Sequence, residues 1–255
     1  MAAAQSEAEA STRVRECKRD QHHRRPHPAP LDDRRAAGAH ADARGAPKNF
    51  GMIIYRAYEM LDVFGPLDAL SMLARMHQMN LYMISETMDP VTVEPVSAAM
   101  NAKNSSFFPV ILPTHTYATA PKDIEVLMVP GGLWTRSPNL DATIAYIRTT
   151  YPSLRYLVSI CTGASVASWA STVVHGPRTE WVPKARWVVD GNVWTSSGVS
   201  AGIDATLAFI GEVFGEANAT YISDMMEYDW HRDPAWDPYS EKFNVTGVEQ
   251  RLVSA

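Results

Sequence analysis

The chain has 255 residues, 46% hydrophobic and 20% charged, with a formal net charge of −5. That length and apolar fraction allow one substantial core or at most two small domains. Two cysteines exclude a disulfide scaffold, the lack of an apolar run of about 18 residues excludes a membrane-spanning helix, and the acidic balance argues against nucleic acid as the main partner.

Residues 1–48 carry 10 Lys/Arg and 7 Asp/Glu but almost no large apolar side chains. Such a segment buries too little surface to offset the entropy of ordering, so it reads as a disordered leader that a folded domain can lose. It lacks the apolar stretch of a signal peptide, and Glu7, Glu9, Glu16 and Asp20 argue against a transit peptide. His22, His23 and His27 have no fixed spacing and read as solvated rather than as a metal site. Residues 49–255 keep 13 basic and 21 acidic side chains, a net charge of −8.

Phe50–Tyr55 (FGMIIY) is a short apolar run suited to a buried strand. After Asp62, the residues Phe64, Leu67, Leu70, Met72, Leu73 and Met76 recur at helical spacing. Asn80–Ser85 and Asp123–Val129 read as further strands, the second ended by Pro130-Gly131-Gly132. Asn139–Thr149 is helical, with Ile144 and Ile147 on one face, and Tyr156–Ile160 is again a buried strand. Trp187–Thr195 is a hairpin, with Asp190-Gly191 supplying a tight turn. Ala201–Phe214 is an amphipathic helix with Gly215 as its C-cap. Strands that alternate with helices imply right-handed crossovers and a mostly parallel sheet covered on both faces.

Three places along this pattern carry chemistry. In YLVSICTGAS (156–165) an apolar strand runs into Cys161, and Thr-Gly-Ala opens a helix. That is a nucleophile elbow, where a sharp strand-to-helix turn lifts one side chain above the sheet. The helix N-terminus and its free N–H groups favour a thiolate there. In LMVPGGLW (127–134) a strand ends in glycines whose backbone amides, with that of Thr162, form an expected oxyanion site. Asp62, after the first strand, is placed to share a proton with the thiol; its other reading is a helix N-cap.

LDVFGPLDAL (61–70), VLMVPGG (126–132), SICTGAS (159–165) and ARWVVDGNVWTSSGVSAGIDATLAFI (185–210), in that order, resemble the DJ-1/PfpI superfamily. The resemblance covers roughly residues 49–240 and is strongest to the isocyanide (isonitrile) hydratases and their fungal relatives. It implies a flavodoxin-like, three-layer α/β sandwich for residues 49–255, with a C-terminal extension from about 228. It also implies a cytoplasmic homodimer that acts on a small molecule without metal or organic cofactor, away from nucleic acid and membrane. Residue by residue, Cys161 matches the elbow nucleophile and Asp62 the acid facing it. Thr162 matches the hydratase-type residue after the cysteine, and Gly131 and Gly132 match the backbone-amide turn. Trp134 stands where relatives carry a small residue and is expected either to narrow the pocket around a slender or planar substrate or to pack on the surface. Between the elbow helix and WVPKARW the chain is shorter than its relatives by about one strand and turn. That segment, 164–181, is where many relatives keep a polar partner for the thiolate. The tail YDWHRDPAWDPY (228–239) reads as packing on the domain, His231 included.

The reaction implied is hydration of an isonitrile to an N-formamide through a Cys161 thioimidate, in a fungal setting as part of secondary metabolism. Glyoxalase-, deglycase- or peptidase-like chemistry on the same fold is an alternative. Peptidase-like members, however, place His after the cysteine, where this chain has Thr162, and neither His175 nor His231 lies in a His-x-Glu arrangement. A non-catalytic ligand- or redox-sensing domain is the other alternative. Transcriptional relatives append a helix-turn-helix domain, for which 255 residues are expected to leave no room.

Overall fold

The central strands are apolar over most of their length, because in a parallel sheet helices cover both faces and alternation is lost. The computed structural model describes residues 45–136, 139–175 and 179–243. The leader up to residue 44, with His22, His23 and His27, lies outside the described residues, as do residues 176–178 of the short segment. Strand β1 (Asn49–Ile53) pairs in parallel with β2 (Asn80–Ser85) on one side and β6 (Val126–Val129) on the other. β7 (Tyr156–Ile160) pairs with β6, and β9 (Val193–Ser196) with β7, again in parallel. β8 (Trp187–Asp190) closes one edge antiparallel to β9, and the two-residue β5 (His115–Thr116) closes the other. The order is β5-β2-β1-β6-β7-β9-β8. A separate antiparallel pair, β3 (Val91–Thr92) and β4 (Val110–Ile111), lies on the excursion between β2 and β5.

From β1 the chain crosses over one way, to β2, and from β6 the other way, to β7. Right-handed crossovers therefore put α1 (Met60–Leu73) and α2 (Asp141–Thr150) on opposite faces. α4 (Val199–Phe214) and α5 (Glu216–Met225) pack with α1, and α3 (Gly163–His175) packs with α2. The result is the three-layer flavodoxin-like sandwich. The reversal of direction between β1 and β6 opens the crevice beyond the strands' carboxyl ends, the usual ligand site of such sheets.

The structure adds the inward face of α1 to the sequence reading and moves the hairpin turn. The face of α1 that packs inward carries Val63, Gly65, Pro66, Ala69, Leu70 and Leu73, while Phe64 is 40% exposed. Gly65 is required there, since a Cβ would come within 2.7 Å of Ile203 Cγ1 on α4; helix packing at that distance selects small residues over long ones. The hairpin turn is Gly191-Asn192 rather than Asp190-Gly191: Asp190 pairs with Val193, and Gly191 supplies the positive φ of 57° at the first turn position.

The segment after α5 binds back on the domain through a buried ion pair. Arg186, before β8, donates from Nε to Asp204 of α4 at 2.6 Å, with side chains 3% and 0% exposed. The same Asp204 accepts the His231 backbone N–H at 3.0 Å, Arg186 N–H donates to the Pro234 carbonyl, and the Arg186 guanidinium lies over Trp236. His231 stacks on Trp236, and the short helix α6 (Pro238–Lys242) follows. No helix among the described residues is long and apolar enough to cross a membrane.

At the other end, the Gly45 carbonyl accepts from Arg155 at 2.6 Å and the Lys48 N–H donates to Glu125 at 2.6 Å, so residues before Asn49 already contact the core. A chain starting at Gly45 is expected to melt with the full chain. One starting at Asn49 should melt about 4–8 °C lower, the worth of roughly two hydrogen bonds in a domain this size. Thermal denaturation of the three chains checks this; a full chain melting well above residues 45–255 would show that residues 1–44 dock.

Candidate active site

Cys161 follows β7 directly with φ +56°, a left-handed conformation uncommon for a side-chain-bearing residue. Its N–H extends the ladder by one bond, to the Ser196 carbonyl of β9 at 3.1 Å, and its own carbonyl accepts from Ala164 at 3.1 Å as α3 begins. The turn can be that sharp because residue 163 is glycine. A Cβ there would lie 2.3 Å from the Val129 carbonyl oxygen at the end of β6. Strand end, cysteine and helix start are thus held against the neighbouring strand.

Asp62, in the first turn of α1, has no exposed surface. Its Oδ2 accepts the Gly131 N–H at 2.8 Å, and its Oδ1 is buried without a hydrogen-bond partner. The Cys161 thiol is the polar neighbour that helps to stabilise the carboxylate. The Gly132 N–H donates to Thr162 Oγ1 at 3.0 Å. Thr162 in turn presents its own N–H and hydroxyl to Cys161, where both favour the thiolate. Cys161, Asp62, Thr162, Gly131 and Gly132 therefore form one cluster at the carboxyl edge of β1, β6 and β7. Trp134 lies on the 3₁₀ turn Leu133–Arg136 just after it, partly buried against the core.

Two expectations about this cluster change. The amides of Gly131 and Gly132 are committed to Asp62 and Thr162, so in this state they orient side chains instead of standing open to a substrate oxyanion. The thiol does not rest as thiolate either. Burial first, and then the Asp62 carboxylate, push Cys161 up to about 11 against the pull of Thr162. Burial, with Glu59 adding to it, raises Asp62 to about 7, against the Gly131 N–H and the Cys161 thiol. For both groups desolvation is the largest influence and outweighs the hydrogen bonds that favour the charged form. Near neutral pH the resting pair is a neutral thiol beside a carboxyl that is half protonated.

Sequence reasoning missed Tyr55 and Glu59. The Tyr55 hydroxyl donates to the Pro130 carbonyl, and burial followed by Asp62 raises its pKa well above the ordinary phenol value. Glu59 precedes α1, and its N–H donates to the Gly131 carbonyl at 2.9 Å. A phenol closing an otherwise apolar strand was the available signal for Tyr55.

Asp62 also affects stability. Its folded pKa of about 7 lies above the unfolded value of 3.8, so the folded state binds more protons between those pH values and loses stability as pH rises through them. Asp62→Asn is therefore expected to leave stability near pH 4 little changed and to raise it at pH 8, by up to about 4 kcal/mol. Urea denaturation at the two pH values checks the sign.

No family model matches the chain. An isonitrile hydratase from Pseudomonas putida is 30% identical over 193 residues, 70% of this chain and 77% of that protein. The crystal structure of a ThiJ/PfpI family protein from Pseudomonas syringae superposes with a TM-score of 0.60 at 26% identity, covering 80% of this chain and 84% of that one. Oxidized DJ-1 of Toxoplasma gondii shares the fold at a TM-score of 0.54 and 16% identity, over 72% of this chain and all of that one. Sequence and architecture agree, and the chain belongs to the DJ-1/PfpI superfamily, close to isonitrile hydratase.

Proposed function

We propose that the protein is an isonitrile hydratase-like enzyme that converts R–N≡C and water to the formamide R–NH–CHO. The observation that carries this reading is the buried carboxyl of Asp62, set near neutrality beside a protonated thiol at a strained elbow. The likeness to the Pseudomonas putida isonitrile hydratase supports it.

The chemistry follows from that pair. Asp62 takes the Cys161 proton and delivers it to the terminal isonitrile carbon as the sulfur bonds to the same carbon. The S–H is thereby added across one atom, giving R–N=CH–S–Cys. Water then adds to the thioimidate carbon, with Asp62 accepting its proton. The C–S bond breaks, nitrogen gains a proton, and R–NH–CHO leaves with the thiol restored. Thr162 stabilises the sulfur whenever it carries charge, through its N–H and hydroxyl. The Gly131 and Gly132 amides keep Asp62 and Thr162 aimed during both steps. The enzyme is read as a cytoplasmic homodimer acting on isonitrile natural products.

The experiment is incubation of the purified protein with cyclohexyl isonitrile and detection of N-cyclohexylformamide. Formation that depends on Cys161 supports the proposal. Its absence, with a thiol that peroxide still oxidises readily, replaces it by a sensing role.

A further inference from the structure

We propose that Tyr55 is a positioning residue that tunes Asp62 through the Pro130–Gly131 peptide group, its hydroxyl on the carbonyl and the carboxylate on the amide. Both contacts belong to one peptide unit. The Tyr55 O–H donates to the Pro130 oxygen, and the N–H on the other side of the same C–N bond donates to Asp62 Oδ2 at 2.8 Å. That peptide is trans, as are all the described ones, so carbonyl and N–H point in opposite directions and a straight chain of hydrogen bonds runs from phenol to carboxylate.

Such a chain is cooperative. A donor on the carbonyl polarises the amide, makes its N–H a stronger donor and holds the carboxylate form of Asp62 more tightly. It also fixes orientation, because turning the peptide would break both bonds in a buried setting. The next peptide is held the same way: Glu59 N–H on the Gly131 carbonyl at 2.9 Å, and Gly132 N–H on Thr162 Oγ1 at 3.0 Å. Phenylalanine would fill the same space at position 55, so packing alone does not call for the hydroxyl.

The groups that face Asp62 are few. Gly131 N–H comes from the turn after β6, Cys161 from the elbow and Glu59 from the start of α1. Tyr55, at the end of β1, lies within electrostatic reach of Asp62 and Cys161, with Tyr117 beyond it. Among the described residues, the Tyr55 hydroxyl is the group that donates to the carbonyl behind the Gly131 amide.

The inference rests on Asp62 being the proton-transferring group, but its test uses no substrate. In protein labelled with ¹³C at the aspartate carboxyls, the Asp62 resonance is assigned by its loss in Asp62→Asn and followed against pH. Tyr55→Phe is expected to raise its midpoint by about half a unit or more, since the amide loses both polarisation and anchorage. 3-Fluorotyrosine at position 55, a stronger donor, is expected to lower the midpoint. A role in packing alone predicts neither shift, and midpoints that coincide with the unmodified protein overturn the inference. If Tyr55→Phe does not fold, the sign of the fluorotyrosine shift decides. A protein that makes no formamide but shows these shifts fails the hydratase reading and keeps this one.

Discussion

Cys161→Ala is expected to abolish formamide production, and Asp62→Asn to slow it by about 10²–10⁴, the usual worth of a positioned proton donor. The two losses differ in kind. Without the sulfur no covalent intermediate forms, and Cys161→Ser should be as inactive, because its hydroxyl has a pKa far above working pH and, among the described residues, no histidine acts on this position. Without the Asp62 carboxylate the thiol must lose its proton to water, against a pKa that burial alone still holds above the ordinary thiol value. The pH dependence of kcat/KM should separate the two. The starting state needs Asp62 ionised, so the rate should fall as pH drops below about 7, and in Asp62→Asn that acid limb should vanish. Turnover retained by Cys161→Ala would end the covalent reading.

The largest expected loss of stability lies away from the site. Arg186→Met leaves the Asp204 carboxylate with no exposed surface and without its guanidinium. Removing one partner of a buried ion pair typically costs about 3–5 kcal/mol, much of it the penalty of the charge left behind. For a domain of this size that is roughly 10 °C in Tm. The double variant Arg186→Met/Asp204→Leu should recover most of the loss, since a buried pair replaced by apolar side chains is often close to neutral. In the single variant the tail should loosen, because the guanidinium that lies over Trp236 is lost and Asp204, which holds the His231 N–H, is left without its partner, while the Arg186 backbone bond to Pro234 remains. Tryptophan fluorescence against temperature reads both effects. Equal melting of Arg186→Met and the unaltered protein would show that the pair contributes nothing.

How legible this was in the sequence varied with range. β1, β2, β6 and β7 stand out as apolar runs bounded by turn residues, and the elbow stands out because its strand stops at a cysteine followed by Thr-Gly. The order of four motifs pointed to the superfamily. Helical spacing announced α1 but not its inward face, because Phe64 and Met76 share the period with Leu70 and Leu73 and are nonetheless exposed. The close approach of Gly65 to Ile203 decides instead, and only the partner helix reveals it. α5 was missed because Gly215, a good helix terminator, also begins the next helix, with φ 102°. β3, β4 and β5 have two residues each, too few for any period to show. In the site, residue types suggested an acid beside a thiol, but not how deeply each is buried, and burial sets their protonation. Nor does sequence show that the glycine amides are already occupied, since their acceptors lie 69 and 30 residues away.

Those separations bear on the order of folding. Asp62, Gly131 and Cys161 meet only after β1 has paired with β6 and β6 with β7, non-local parallel contacts of the kind that form late. Until then Cys161 is an ordinary thiol with a pKa near 9.0, and afterwards it sits near 11, so folding cuts its thiolate fraction at neutral pH by about a hundredfold. The nascent chain is therefore more exposed to alkylation and oxidation at this position than the finished domain. In the folded protein, slow alkylation of Cys161 at neutral pH becomes a clock for local opening of the sheet edge.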